Sequence, residues 1–167
     1  MRNLLFGVFT ALVLLPMGIL GCFALGLTEI RSDLKPSRWE CMIMGSAVRA
    51  SVRRSAAGIA NSATSNHETL VAGGKLYIAG CAGCHGELGK PFREEHDHFP
   101  PVPQLPHLGT QYSEPEVYWV LKHGIRMTGM SAYGPFYSEQ QLWSLSAFVH
   151  QINNLPPDVR AAVVANK

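Results

Sequence analysis

The chain opens on one unbroken apolar stretch, and the pattern of apolar and polar positions then changes several times. Residues 4–27, LLFGVFTALVLLPMGILGCFALGL, contain no charged side chain. At about 1.5 Å of rise per residue a helix of this length spans the ~30 Å hydrocarbon core of a bilayer. The stretch predicts a membrane-crossing helix, in which Pro16 and the glycines are tolerable. A cleavable signal segment has a shorter apolar core and a small-x-small exit, so an uncleaved anchor over residues 1–30 is expected. Ile19-Leu20-Gly21-Cys22 resembles a lipidation box, a second route to attachment, but apolar residues continue past Cys22.

Beyond the anchor the period becomes helical. Over residues 36–57, Trp39, Met42, Ile43, Ala47 and Ala50 recur at helical spacing, while Arg38, Arg49 and Arg53 gather on another face. Pro36 suits the first turn. A basic amphipathic helix after a membrane span suits a lipid surface and equally a partner subunit, and Cys41 and Met44 read as packing residues. Residues 58–66 are small and polar, a linker, so residues 31–64 form a juxtamembrane helix and connection. Next, Ser65 and Glu68 make a capping-box pattern before Leu70, Val71, Leu76, Tyr77 and Ile78. Gly73 and Gly74 cost helix stability there and predict a close approach by another helix.

Residues 86–110 lack periodicity and carry Pro91, Pro100, Pro101, Pro103 and Pro106, which predicts a long loop. A helix follows over residues 113–123, opened by Ser113 and Glu116 and stopped by Gly124. Val117, Val120 and Leu121 are its core positions. After a glycine-rich loop over residues 124–134, Ser138 and Gln141 open a last helix bearing Leu142, Leu145, Phe148, Val149 and Ile152. Pro156 and Pro157 end it. Residues 158–167 form a tail with only weak helix propensity. The fold class is all-α: an N-terminal transmembrane helix, an amphipathic helix, and a small helical domain with long loops over residues 65–157.

Charge changes little, because 14 basic against 12 acidic side chains leave a net +2; nothing points to nucleic acid or a strongly charged partner. The cysteines change more. Cys22 and Cys41 are isolated, but Cys81-Ala82-Gly83-Cys84-His85 joins two thiols and an imidazole. A thiol redox pair wants a strand before it and a helix after it, and a structural zinc site wants two further ligands. The pattern reads instead as covalent attachment of one haem c: Cys81 and Cys84 reach two vinyl groups on one porphyrin edge, and His85 sits under the iron. Such attachment takes place on the outer side of an energy-transducing membrane. Positive charge argues the reverse, since Arg2 alone precedes the span while Arg31, Lys35, Arg38, Arg49, Arg53 and Arg54 follow it. The haem motif is the stronger evidence, and the expected topology is a single pass through a bacterial inner membrane with the domain in the periplasm.

Other residues bear on this site. A backbone carbonyl of the proline-rich loop, with Pro103 the candidate, suits the far nitrogen of His85. Glu94, Glu95, His96, Asp97 and His98 form a potential metal cluster, but without a fixed spacing they read as a solvated loop tip.

With these residues in order, the part from about residue 70 to residue 155 resembles the class I cytochrome c family, especially its membrane-anchored bacterial monohaem type. Gly73 and Tyr77 stand before Cys81 at the family's spacing, Pro103 matches its proximal proline, and Leu145 and Phe148 match its last helix. Met127-Thr128-Gly129-Met130 with Ala132 and Tyr133 is similar to its distal loop, with Ser131 where proline is usual. The insertion before Pro103 departs from the pattern. The resemblance implies Met130 as the sixth ligand, with Met127 the rival and His123 a bis-histidine alternative. Trp119 and Arg126 are the candidates for holding the haem propionates. It further implies a six-coordinate one-electron carrier rather than an enzyme, serving redox partner proteins. Two alternatives are the haem subunit of a membrane respiratory oxidoreductase and a gas-binding sensor.

Overall fold

A computed structural model describes residues 2–31, 34–60, 65–93, 98 and 100–165. The chain divides into two compact units, Met1–Leu34 and Lys35–Lys167. The first is one helix, α1 (Arg2–Ala24), long and apolar enough to cross a membrane. It contains Pro16 and ends where Gly26 takes φ +66°, which lets Leu27 N–H bond back to the Cys22 carbonyl at 2.9 Å. Leu5, Phe6, Phe9, Leu12 and Leu20 are each about two-thirds exposed or more, a surface suited to lipid rather than water.

Among the described residues the second unit is helical throughout: α2 (Arg38–Ala56), α3 (His67–Gly80), α4 (Ala82–His85), α5 (Leu105–Leu108), α6 (Glu114–His123), α7 (Glu139–Gln151) and α8 (Pro157–Ala165). Its centre is the crossing of α3 and α7. A Cβ on Gly73 would strike the Ser144 carbonyl and the Phe148 side chain, so only glycine lets the two backbones come this close. Tyr77, one turn on, is fully buried with its ring 5.5 Å from that of Phe148. Leu142, Leu145, Phe148 and Ile152 line the inner face of α7 at the i, i+3, i+4 spacing of a buried stripe. α6 packs on α7 and α2 packs on α6.

The helix starts show local chemistry at work. Glu116 accepts the Ser113 N–H at 2.7 Å, and Ser138 and Gln141 cap each other at 2.8 and 3.3 Å, as their spacing predicts. Two starts differ from expectation. α2 begins at Arg38, with the Ser37 hydroxyl accepting Glu40 N–H at 3.2 Å, rather than at Pro36. α3 is capped by Asn66, whose Oδ1 accepts Thr69 N–H at 2.9 Å, so Ser65 and Glu68 form no capping box; the amide side chain one residue on takes the same role.

The tail is the larger correction. Residues 157–165 are not an uninformative end but the helix α8, with Val159 and Val163 buried against the core. A Cβ on Gly74 would meet both methyls of Val163, so the two adjacent glycines of α3 admit two different helices. α2 likewise belongs to the second compact unit, with Val52 and Ala56 buried.

A methyl at Gly73 has no space to enter. Gly73→Ala is expected to destabilise the second unit by about 3 kcal/mol, read as a lowered unfolding midpoint of the full chain in detergent. An unchanged midpoint would contradict the crossing described here.

Candidate haem site

α3 runs directly into the attachment motif. Its last turn hands over to α4 through Cys81, whose N–H bonds to the Tyr77 carbonyl at 2.8 Å, and His85 N–H bonds to the Cys81 carbonyl at 2.8 Å. The short helix and its N-cap Cys81 thus hold both cysteines and the histidine in one continuous turn. Gly86, at φ +91°, then turns the chain away. Tyr77 clamps this exit, its hydroxyl donating to the carbonyls of Gly86 at 2.7 Å and His85 at 3.2 Å. Burial pushes the Tyr77 hydroxyl well above the ordinary tyrosine range, so it stays a neutral donor.

Cys81, Cys84 and His85 open onto a cavity of about 440 Å³. Apolar side chains from three sides form much of its wall: Leu105, Val117, Val120, Leu121, Ile125 and Val149. Burial, reinforced by Cys84 beside it, pushes the Cys81 thiol up to about 11, while Cys84 is exposed. Burial also lowers the pKa of His85, partly opposed by the Pro103 carbonyl. The ring is therefore neutral near pH 7. His85 Nδ1 lies 3.0 Å from that carbonyl; with the proton on Nδ1 donated there, Nε2 keeps its lone pair for a metal.

The distal loop is held by its own hydrogen bonds. The Thr128 hydroxyl donates to the Ile125 carbonyl at 2.7 Å and accepts Met130 N–H at 3.1 Å, while Ile125 N–H reaches the Met130 carbonyl at 3.0 Å. Gly124, at φ +67°, is required because a Cβ there would lie 2.7 Å from the Met130 carbonyl. Met130 consequently lines the cavity and packs on the core. Met127, in the left-handed region at φ 59°, is 87% exposed and outside the lining.

Several sequence candidates are not brought together. Trp119 and Arg126 are not among the lining residues. On α6 the cavity face is Val117, Val120 and Leu121, and Trp119 falls on the opposite side of the helix, its ring 5.0 Å from that of His123. Arg126 is exposed on the distal loop, as is His123 at the end of α6. Glu94, Glu95, His96 and Asp97 lie outside the described residues. His98 instead lines the cavity beside Gly129.

Three further residues, to which the sequence assigned no bond or contact at this site, also matter here. Gln104 is 2% exposed, and its Nε2 donates to the Cys84 carbonyl at 3.0 Å. Tyr133 donates to the Gly80 carbonyl at 3.2 Å. Arg49 of α2 lines the cavity. A lone glutamine beside a proline carries no pattern that would single it out.

Two vinyl-reactive thiols, a neutral imidazole with a free nitrogen, a thioether and an apolar wall form a donor set that fits a haem. An all-helical unit carrying this site is a class I c-type cytochrome domain, attached to an N-terminal apolar helix. Residues 68–149 match the family model described as "Cytochrome C oxidase, cbb3-type, subunit III". Haem-based electron transfer is the chemistry of such a domain. No curated protein and no solved structure matches the chain.

Gln104→Leu leaves the Cys84 carbonyl without its buried partner, which costs about 1–3 kcal/mol. Denaturant unfolding of the haem-loaded chain should show that loss, and a change below ~0.5 kcal/mol would contradict the role given to Gln104.

Proposed function

We propose that the chain is a tethered one-electron carrier, with one haem c bonded to Cys81 and Cys84 and its iron held between His85 and Met130. The observation that carries this reading is that His85 and Met130 line one cavity with both cysteines, whereas Met127 is 87% exposed. When bound, the haem supplies a one-electron iron couple. The residues of the chain do the rest. Cys81 and Cys84 fix one edge of the cofactor, and Pro103 orients the His85 ring and strengthens it as a donor. Met130 adds a soft, weak donor that favours the reduced metal. Apolar side chains from α5, α6 and α7 keep water from the wall. If His85 and Met130 both bind the iron, no site would remain on it for substrate or gas, which argues against catalysis and sensing.

The apolar helix α1 serves as anchor, in a bacterial inner membrane with the cytochrome domain on the periplasmic side, where haem c is attached. The second reading is a subunit of a respiratory oxidoreductase. The family description names a subunit of a cbb3-type oxidase, and a partner of that class would receive or deliver the electron. Stable co-purification with a catalytic subunit in mild detergent favours it over a lone carrier.

Met130→Ala tests the ligand set. The oxidised protein should lose its methionine–iron absorption band, the midpoint potential should fall, and the ferrous form should bind carbon monoxide readily. If spectrum and potential survive, Met130 is not the ligand, and His98, the other imidazole among the described lining residues, becomes the candidate.

A further inference from the structure

The cavity wall is nearly without formal charge. Among its described lining residues no carboxylate occurs, and Arg49 carries the only guanidinium or ammonium group. That residue comes from α2, outside the segment matched by the family model. α2 is held on α6 by the buried Val52 and Ala56 and by Arg53 Nε, 3.8 Å from Glu116 Oε1. Arg49 lies one turn before Arg53 and next to the buried face. A Cβ on Gly45 would come within 3.3 Å of Arg49 Nη1, so the glycine leaves room for the guanidinium to fold back along the helix. Thr110, Gln111 and Tyr112 line the same cavity. The Arg49 charge reaches Tyr112, drawing its hydroxyl down against the upward push of burial.

A haem brings two carboxylates, on the porphyrin edge opposite the vinyl groups. With Cys81 and Cys84 bonded to the vinyl edge, the carboxylates would lie away from the attachment motif and meet another part of the lining. A carboxylate against an apolar wall is costly unless it is paired and hydrogen-bonded. A guanidinium offers two parallel donors that match it.

We propose that Arg49 binds a haem carboxylate, so that α2 supplies the charge partner of the cofactor from outside the cytochrome segment. This rests on the haem reading above. Tyr112, Thr110 and Gln111 lie in the same lining as further hydrogen-bonding groups. Pairing cancels a negative charge close to the iron; without Arg49 that charge stands alone and favours the ferric state.

The test uses the full chain, matured with haem and solubilised in detergent. Midpoint potentials are compared for the wild type, Arg49→Gln, Arg49→Lys and Arg54→Gln. Both arginines are exposed, and the last variant removes the same charge from a position outside the lining. Arg49→Gln should shift the ferrous-to-ferric ratio at fixed potential about tenfold toward ferric, ~59 mV for a one-electron couple. Arg49→Lys and Arg54→Gln should stay within about threefold of the wild type, a smaller interval on the same scale. Equal shifts in Arg49→Gln and Arg54→Gln overturn the proposal. If Arg49→Gln does not mature, redox-difference infrared spectra of the wild type with carbon-13 guanidino arginine decide. A label-sensitive band supports the pair, and its absence overturns it. A wild type without covalent haem would instead sink the functional reading itself.

Discussion

The contact on which the molecule depends is the crossing of α3 over α7 at Gly73, where backbone meets backbone and no side chain fits between. It fixes α3 in rotation as well as position. Tyr77 is driven into the core against Phe148, and the following turn must present Cys81, Cys84 and His85 to the space beside α7. The same rotation aims the Tyr77 hydroxyl at the carbonyls where the chain leaves the motif. Packing in the core and geometry at the site are thus one constraint. Gly74 extends it to α8, so three helices are registered by two adjacent glycines.

The site is built from neutral groups. Burial keeps the Tyr77 hydroxyl protonated and the His85 ring uncharged, and before any haem is attached it keeps the Cys81 thiol protonated as well. The wall is mostly apolar, and the polar groups near the motif are spent on backbone carbonyls: Gln104 on Cys84, Tyr133 on Gly80, His85 on Pro103. Arg49 is exposed like the other arginines of α2, and what sets it apart is its place in the cavity lining.

Features governed by near neighbours in the chain were legible from the start. Ser113 with Glu116 and Ser138 with Gln141 mark true helix starts, the adjacent glycines of α3 do permit close approach, and the attachment motif stands in one turn. The prolines of residues 86–110 imply a long loop, and the single-turn helix α5 within it was not expected from them. Features set by distant partners were not legible. α8 announces itself only by Val159 and Val163, two apolar residues whose meaning depends on Gly74 far upstream. Arg49 reads as part of a solvated basic face until Val52 and Ala56 seat α2 on α6. Trp119 and Arg126 have suitable chemistry for a haem edge, yet helix rotation and loop exposure direct them elsewhere.

Everything proposed for this site depends on one haem bonded to the chain at Cys81 and Cys84. The intact mass of the full chain, matured and then fully denatured, tests it most directly. A mass increased by one haem should survive denaturation and acid extraction, with Cys81→Ser and Cys84→Ser each reducing attachment to a single bond or abolishing it. A denatured chain at its unmodified mass, or one whose haem remains after both cysteines are replaced, would contradict it.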